Sequence, residues 1–116
     1  MAAKTKVTVA TLSPDEYPAE GQEFFKEFAS KYGEDNPDPY AIYGYEAMRL
    51  ALDAIERSGD ADKKNIVKAL FETKDRESVL GTYSIDENGD TTLTDYGVYT
   101  IKGGELEFDE TIKAQG

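Results

Sequence analysis

The side chains best able to do chemistry in this 116-residue chain are acids and phenols. Asp and Glu together number 24, and there are eight tyrosines. There is no cysteine and no histidine. That excludes disulfides, thiol nucleophiles and zinc–thiolate sites, and it removes the commonest general base and transition-metal ligand. Ser13, Ser30, Ser58, Ser78 and Ser84 have no histidine to activate them, and none sits in a G-x-S-x-G elbow. Carboxylates are abundant, but no pair has a spacing or an apolar setting that would drive two pKa values apart. The sequence therefore predicts no enzyme and no cofactor.

Two stretches resemble ligand loops and fail on detail. Asp86, Asn88 and Asp90 match the alternate oxygen ligands of an EF-hand. The sixth loop position is Thr91, where glycine is needed, and the twelfth is Gly97, where a bidentate Glu is needed. The stretch reads as a hairpin turn and no metal is expected. Gly103-Gly104 is followed by no helix and no Lys-Ser/Thr pair, so it is no phosphate cradle.

The phenols are more suggestive. Tyr40, Tyr43 and Tyr45 crowd beside Gly44. Such a group forms core and rim packing, or it lines a pocket for a small ligand with apolar walls and polar tips. The element that must position it runs from Tyr40 to Arg57. Ala41, Tyr45, Met48, Leu52 and Ile55 recur at helical steps and share one face. Ala47, Leu50, Ala51 and Ala54 widen that face, while Glu46, Arg49, Asp53, Glu56 and Arg57 are assigned to the solvent side. Pro39 before the run and Gly59 after it mark its ends.

The remaining elements follow from changes of period. Lys6 to Leu12 alternates as a strand does. Pro18 to Tyr32 carries Phe24, Phe25, Phe28 and Tyr32 at helical spacing and stops at Gly33, although Gly21 weakens its first turns. Lys63 to Thr73 is a third helix behind the capping residues of 58–62. Val79 to Ile85, Asp95 to Ile101 and Leu106 to Phe108 read as strands, the first two joined through the Asn88-Gly89 turn. The order β-α-α-α-β-β-β predicts an α+β fold: three helices on a small antiparallel or mixed sheet that holds Val7–Thr11 and Asp95–Ile101. Phe24, Phe28, Leu52, Ile55, Leu70 and Phe71 are the expected core. The length suits a single domain over 1–116, with 110–116 expected to fray.

A net charge of -11 opposes phosphate backbones and anionic lipid, so neither nucleic acid nor a membrane surface is an expected partner. No apolar run approaches the ~20 residues of a membrane span. The first residues lack an apolar export segment, so a soluble chain without signal peptide is expected.

Several stretches, in order, resemble the C-terminal third of branched-chain amino-acid binding proteins of ABC importers, within the type I periplasmic binding proteins. They are Pro14-Asp-Glu-Tyr-Pro18, the Phe24-to-Gly33 helix and Pro39-Tyr40-Ala41-Ile42-Tyr43-Gly44-Tyr45-Glu46-Ala47. Val79-Leu80-Gly81-Thr82-Tyr83-Ser84 through Asp90 and Tyr96-Gly97-Val98-Tyr99 complete the set. The resemblance implies a two-lobed extracytoplasmic receptor, roughly three times as long, that closes on an amino acid and delivers it to an importer permease. It places Tyr40 and Tyr43 against the ligand's side chain. The groups that hold the ligand's carboxylate and ammonium come from upstream of this stretch. As an isolated chain it is then expected to self-associate as a two-fold dimer, with the N-terminal strand as the exchanged element.

Overall fold

The computed structural model describes residues 4–34 and 37–114. Its elements run β1 (Lys6–Val9), a 3-10 turn at Pro14–Glu16, α1 (Ala19–Tyr32), α2 (Ala41–Ser58), α3 (Lys63–Phe71), β2 (Arg76–Ser78), β3 (Gly81–Tyr83), β4 (Asp95–Lys102) and β5 (Glu105–Lys113). It is an α+β fold, three helices with two small antiparallel sheets. The helix ends follow local chemistry. Gly33 and Gly59 take left-handed conformations, φ 67° and 76°, and turn their amides back onto α1 and α2. Asp62 caps α3 by accepting from the amides of Lys64 and Asn65.

β1 pairs with β4, and β4 with β5, giving the order β1-β4-β5. This sheet joins the two segments expected to share one, with Val7 opposite Tyr99. Three boundaries differ from expectation. The run 79–85 is not one strand: the chain turns at Val79-Leu80, and β2 and β3 flank that turn as a separate hairpin. Ser78 closes the turn, its hydroxyl donating to the Gly81 carbonyl and accepting from the Leu80 amide. The Asp86–Asp90 turn therefore joins no pair of long strands. It closes a single bridge between Ile85 and Thr91. Finally, 110–113 does not fray, because Glu110 to Lys113 pair with Val98 to Asp95 past a bulge at Val98/Tyr99. Residues 115–116 lie outside the described residues.

The core also sits elsewhere. Leu12, Tyr17, Phe25, Ile42 and Val79 form it, with Phe24, Tyr43 and Leu80 packed against it. Of the expected core, Leu52, Ile55 and Phe71 stand 56, 42 and 47% exposed, and Phe24, Phe28 and Leu70 are half-buried. The reason lies in α2. Its covered flank carries Ile42, Glu46 and Ala54. The opposite flank, Tyr45, Met48, Leu52 and Ile55, is the apolar face seen in the sequence, and it faces solvent. Neighbouring elements, not the helix's own periodicity, decide which flank is covered. A radius of gyration of 16.5 Å, against about 13 Å for a compact chain of this length, fits so much uncovered surface.

Gly21 illustrates how tightly the covered flank packs. A Cβ there would lie 2.3 Å from the Val79 carbonyl oxygen, so the β2–β3 turn rests directly on α1. The residue that weakens the helix locally is what lets the hairpin reach it.

Candidate functional site

The start of α2 is built by Asp38. Its carboxylate accepts the Tyr40 amide at 2.8 Å and its carbonyl accepts the Ala41 amide at 2.9 Å. This turns Tyr40 outward, 56% exposed, while Tyr43, one turn on, is half-buried. Their ring centroids are 6.0 Å apart at 47°. The Tyr43 hydroxyl donates to the Ala10 carbonyl. Burial pushes the Tyr43 phenol up to about 12, so it is a neutral donor at physiological pH. The two rings make a ledge at the N-terminal end of an 18-residue helix. Such a ledge offers apolar contact to a small solute and has no reactive group. Tyr45, the third phenol of the cluster, points away: its ring stacks on Phe24 at 5.0 Å between α1 and α2.

Behind the ledge, three phenols meet one short segment. Tyr43 holds the carbonyl of Ala10. Tyr99, on β4, donates to the carbonyl of Thr11 at 3.1 Å, and the Thr11 hydroxyl lies 3.0 Å from the same phenol oxygen. Tyr17 accepts the amide of Leu12 at 3.1 Å. β1 ends at Val9, so these backbone groups leave the ladder as they become buried and need other partners. Burial, partly offset by the Leu12 amide, raises the Tyr17 phenol above its usual range.

A second polar cluster lies next to it along the covered flank of α2. Glu46 is 4% exposed. One of its carboxylate oxygens, Oε1, accepts from Arg76 Nε at 2.7 Å and from the Tyr83 hydroxyl at 2.8 Å. Arg76 also lies 3.4 Å from Asp53. Arg57 ties the same flank to α3 by donating to the Ala69 carbonyl and the Thr73 hydroxyl. Burial and the Glu46 carboxylate push the Tyr83 phenol up to about 12. Burial works against the Arg76 charge, but its bond to Glu46 and the surrounding negative charges outweigh it and raise its pKa. A cleft of about 360 Å³ opens above this cluster between α1, α2 and the hairpin. Sequence reasoning assigned Glu46 to the solvent side. The missed signal is the four-residue row Ile42, Glu46, Leu50, Ala54, a second apolar stripe interrupted by one acid.

No helix among the described residues is long and apolar enough to cross a membrane. Comparison with known proteins places the chain. A profile described as periplasmic binding protein matches residues 2–105. A Leu/Ile/Val-binding protein homolog of Brucella abortus (strain 2308) is 34% identical over 82 residues, covering 71% of this chain and 22% of that protein. The crystal structure of a leucine binding protein from Thermotoga maritima superposes with a TM-score of 0.78 at 29% identity, over 93% of this chain and 30% of that one. An ABC transporter substrate-binding protein from Desulfitobacterium hafniense, solved in complex with Leu, superposes at 0.71 with 25% identity, covering 89% of this chain and 30% of that one. The chain thus spans less than a third of each of these proteins.

Proposed function

The chain belongs to the periplasmic binding protein family, and on that premise we propose that it is the C-terminal part of a solute receptor for branched-chain amino acids serving an ABC importer. The family acts outside the cytoplasm and binds rather than catalyses. One observation carries the reading: the most apolar flank of α2, Tyr45, Met48, Leu52 and Ile55, lies in solvent while its Glu46 flank is buried. A helix so arranged is shaped for a neighbour on its open side. In this reading the neighbour is the rest of a lobe, the 116 residues are one partial domain of it, and Tyr40 and Tyr43 at the cleft end contact the solute's apolar side chain. The test is a chimaera in which this chain replaces the corresponding segment of a leucine-binding relative. It should bind leucine, and Tyr40→Ala should weaken binding at least ten-fold with the fold intact. Unchanged affinity in Tyr40→Ala would remove the ledge from the site.

Gly44 favours a second reading for the chain on its own, a two-fold homodimer. Among the described residues, a Cβ added at Gly44 meets nothing within 4 Å, so none of them requires glycine there. Beside it run Ala47 and Ala51, a shallow groove next to the Met48–Leu52–Ile55 ridge. A patch holding both ridge and groove can pair with itself. With two α2 helices antiparallel and crossing near Leu52, Arg49 of each copy meets Glu56 of the other. β1 is already paired with its own β4, which weakens the case for strand exchange. Light scattering over a concentration series tests this: mass should rise toward twice the monomer, and Leu52→Glu should abolish the rise. A constant monomer mass would end this reading and leave the receptor reading standing.

A further inference from the structure

We infer that the hydroxyls of Tyr17, Tyr43 and Tyr99 form a latch on Ala10–Leu12 that fixes the orientation of the helical layer against the β1-β4-β5 sheet, making all three positioning residues for the Tyr40–Tyr43 ledge. The chain passes between these two parts twice, at 10–13 and at 84–94. The two passages are built differently. In the first, three successive residues are each gripped by a phenol: the Ala10 carbonyl by Tyr43, the Thr11 carbonyl by Tyr99, the Leu12 amide by Tyr17. Tyr17 and Tyr43 belong to the helical side and Tyr99 to the sheet. The same three residues are therefore held from both parts at once.

Sterics confine the passage further. A Cβ on Gly97 would lie 2.2 Å from the Thr11 carbonyl oxygen and 2.7 Å from the Tyr99 ring. Only glycine lets the segment lie this close over β4. Thr11, 2% exposed, is among the most buried side chains of the chain. The second passage is held by backbone and small polar groups instead: the Ile85 amide donates to the Thr73 carbonyl and the Asp75 amide to the Ser84 hydroxyl on the helical side, and the Thr94 carbonyl accepts the Ala114 amide beside β5. Its turn at Asp86–Asp90 is held by its own backbone and by the Asp86 carboxylate, with one bridge at Ile85–Thr91. Tyr43 links the latch to the ledge, because one residue supplies both the ledge ring and the latch hydroxyl.

The latch rests on the receptor reading only for its use, not for its existence, so the test needs no solute. Because the chain lacks cysteine, Ser30→Cys on α1 and Glu110→Cys on β5 accept spin labels uniquely. Pulsed dipolar spectroscopy should give one narrow inter-label distance. Tyr43→Phe and Tyr99→Phe keep their rings and should each widen that distribution at least two-fold, while Tyr32→Phe, 63% exposed in α1, should leave it unchanged. Tyr17→Phe should speed hydrogen exchange at the Leu12 amide at least ten-fold. Should Tyr99→Phe fail to fold, the half-buried Tyr43 and the Leu12 amide still decide. Widths and exchange unchanged from the parent, with helical content intact, would overturn the latch even if a chimaera binds leucine. Widened distributions uphold it even if no amino acid binds.

Discussion

The covered flank of α2 borders two polar clusters that bury their groups in opposite ways. Toward the hairpin, the buried groups are charged: Glu46 against Arg76, with Tyr83 and Asp53 in support. Toward the sheet they are neutral: three phenols and one threonine on backbone amides and carbonyls. The difference teaches where fragility lies. A buried ion pair that loses one partner leaves an uncompensated charge. A phenol that loses its hydroxyl leaves one unsatisfied backbone group. The first side should fail abruptly and the second by degrees.

The largest expected effect is Arg76→Ala. It strands the Glu46 carboxylate, whose cationic partner among the described residues is Arg76, and should cost about 3–5 kcal/mol in urea unfolding. Glu46→Ala should cost less, because Arg76 keeps Asp53 at 3.4 Å. Equal costs would break this asymmetry. Next come the two close approaches, one on each side: Gly21→Ala against the Val79 carbonyl and Gly97→Ala against the Thr11 carbonyl. Each should destabilise by about 1–3 kcal/mol, since both obstacles are backbone that cannot swing aside. Gly44→Ala, with open space, should be neutral or gain up to about 1 kcal/mol of helix propensity. A loss there, growing with protein concentration, would instead reveal a partner at α2.

Smaller effects separate the neutral side. Tyr17→Phe, Tyr43→Phe and Tyr99→Phe should each cost about 0.5–1.5 kcal/mol. Alkaline titration sharpens the contrast without mutation. Tyr43 and Tyr83 are both pushed up to about 12 from an ordinary value of 10. Raised phenols mean the folded chain holds more protons than the unfolded one. Their contribution is complete below pH 10 and lost as pH climbs from 10 toward 12. Phenolate absorbance should show Tyr17, Tyr43 and Tyr83 titrating late, and Glu46→Gln should bring Tyr83 down while leaving Tyr43 in place. If both move together, the sides are not independent. Smallest of all, Tyr40→Ala should change stability by no more than about 0.5 kcal/mol, as its ring stands mostly in solvent.

Local chemistry alone determined much of this chain. Helix extents, the left-handed stops at Gly33 and Gly59, the strands around Val7 and Val98 and the Tyr40–Tyr43 cluster are all legible, because caps, turns and periodicity act within a few residues. The ordered motifs pointed to the family that the comparisons then gave. What sequence could not decide is which flank of α2 is covered. Its apolar stripe and its Ile42–Glu46 row both satisfy helical spacing, and only the arrival of Arg76 and Tyr83, at least 30 residues away, makes burial of Glu46 tolerable. The three-phenol grip on Ala10–Leu12 was equally invisible, because Tyr17, Tyr43 and Tyr99 are scattered along the chain and meet only where the ladder ends at Val9. Periodicity fixes what a helix offers on each face; the elements that pack against it, brought from distant sequence, fix which face is used.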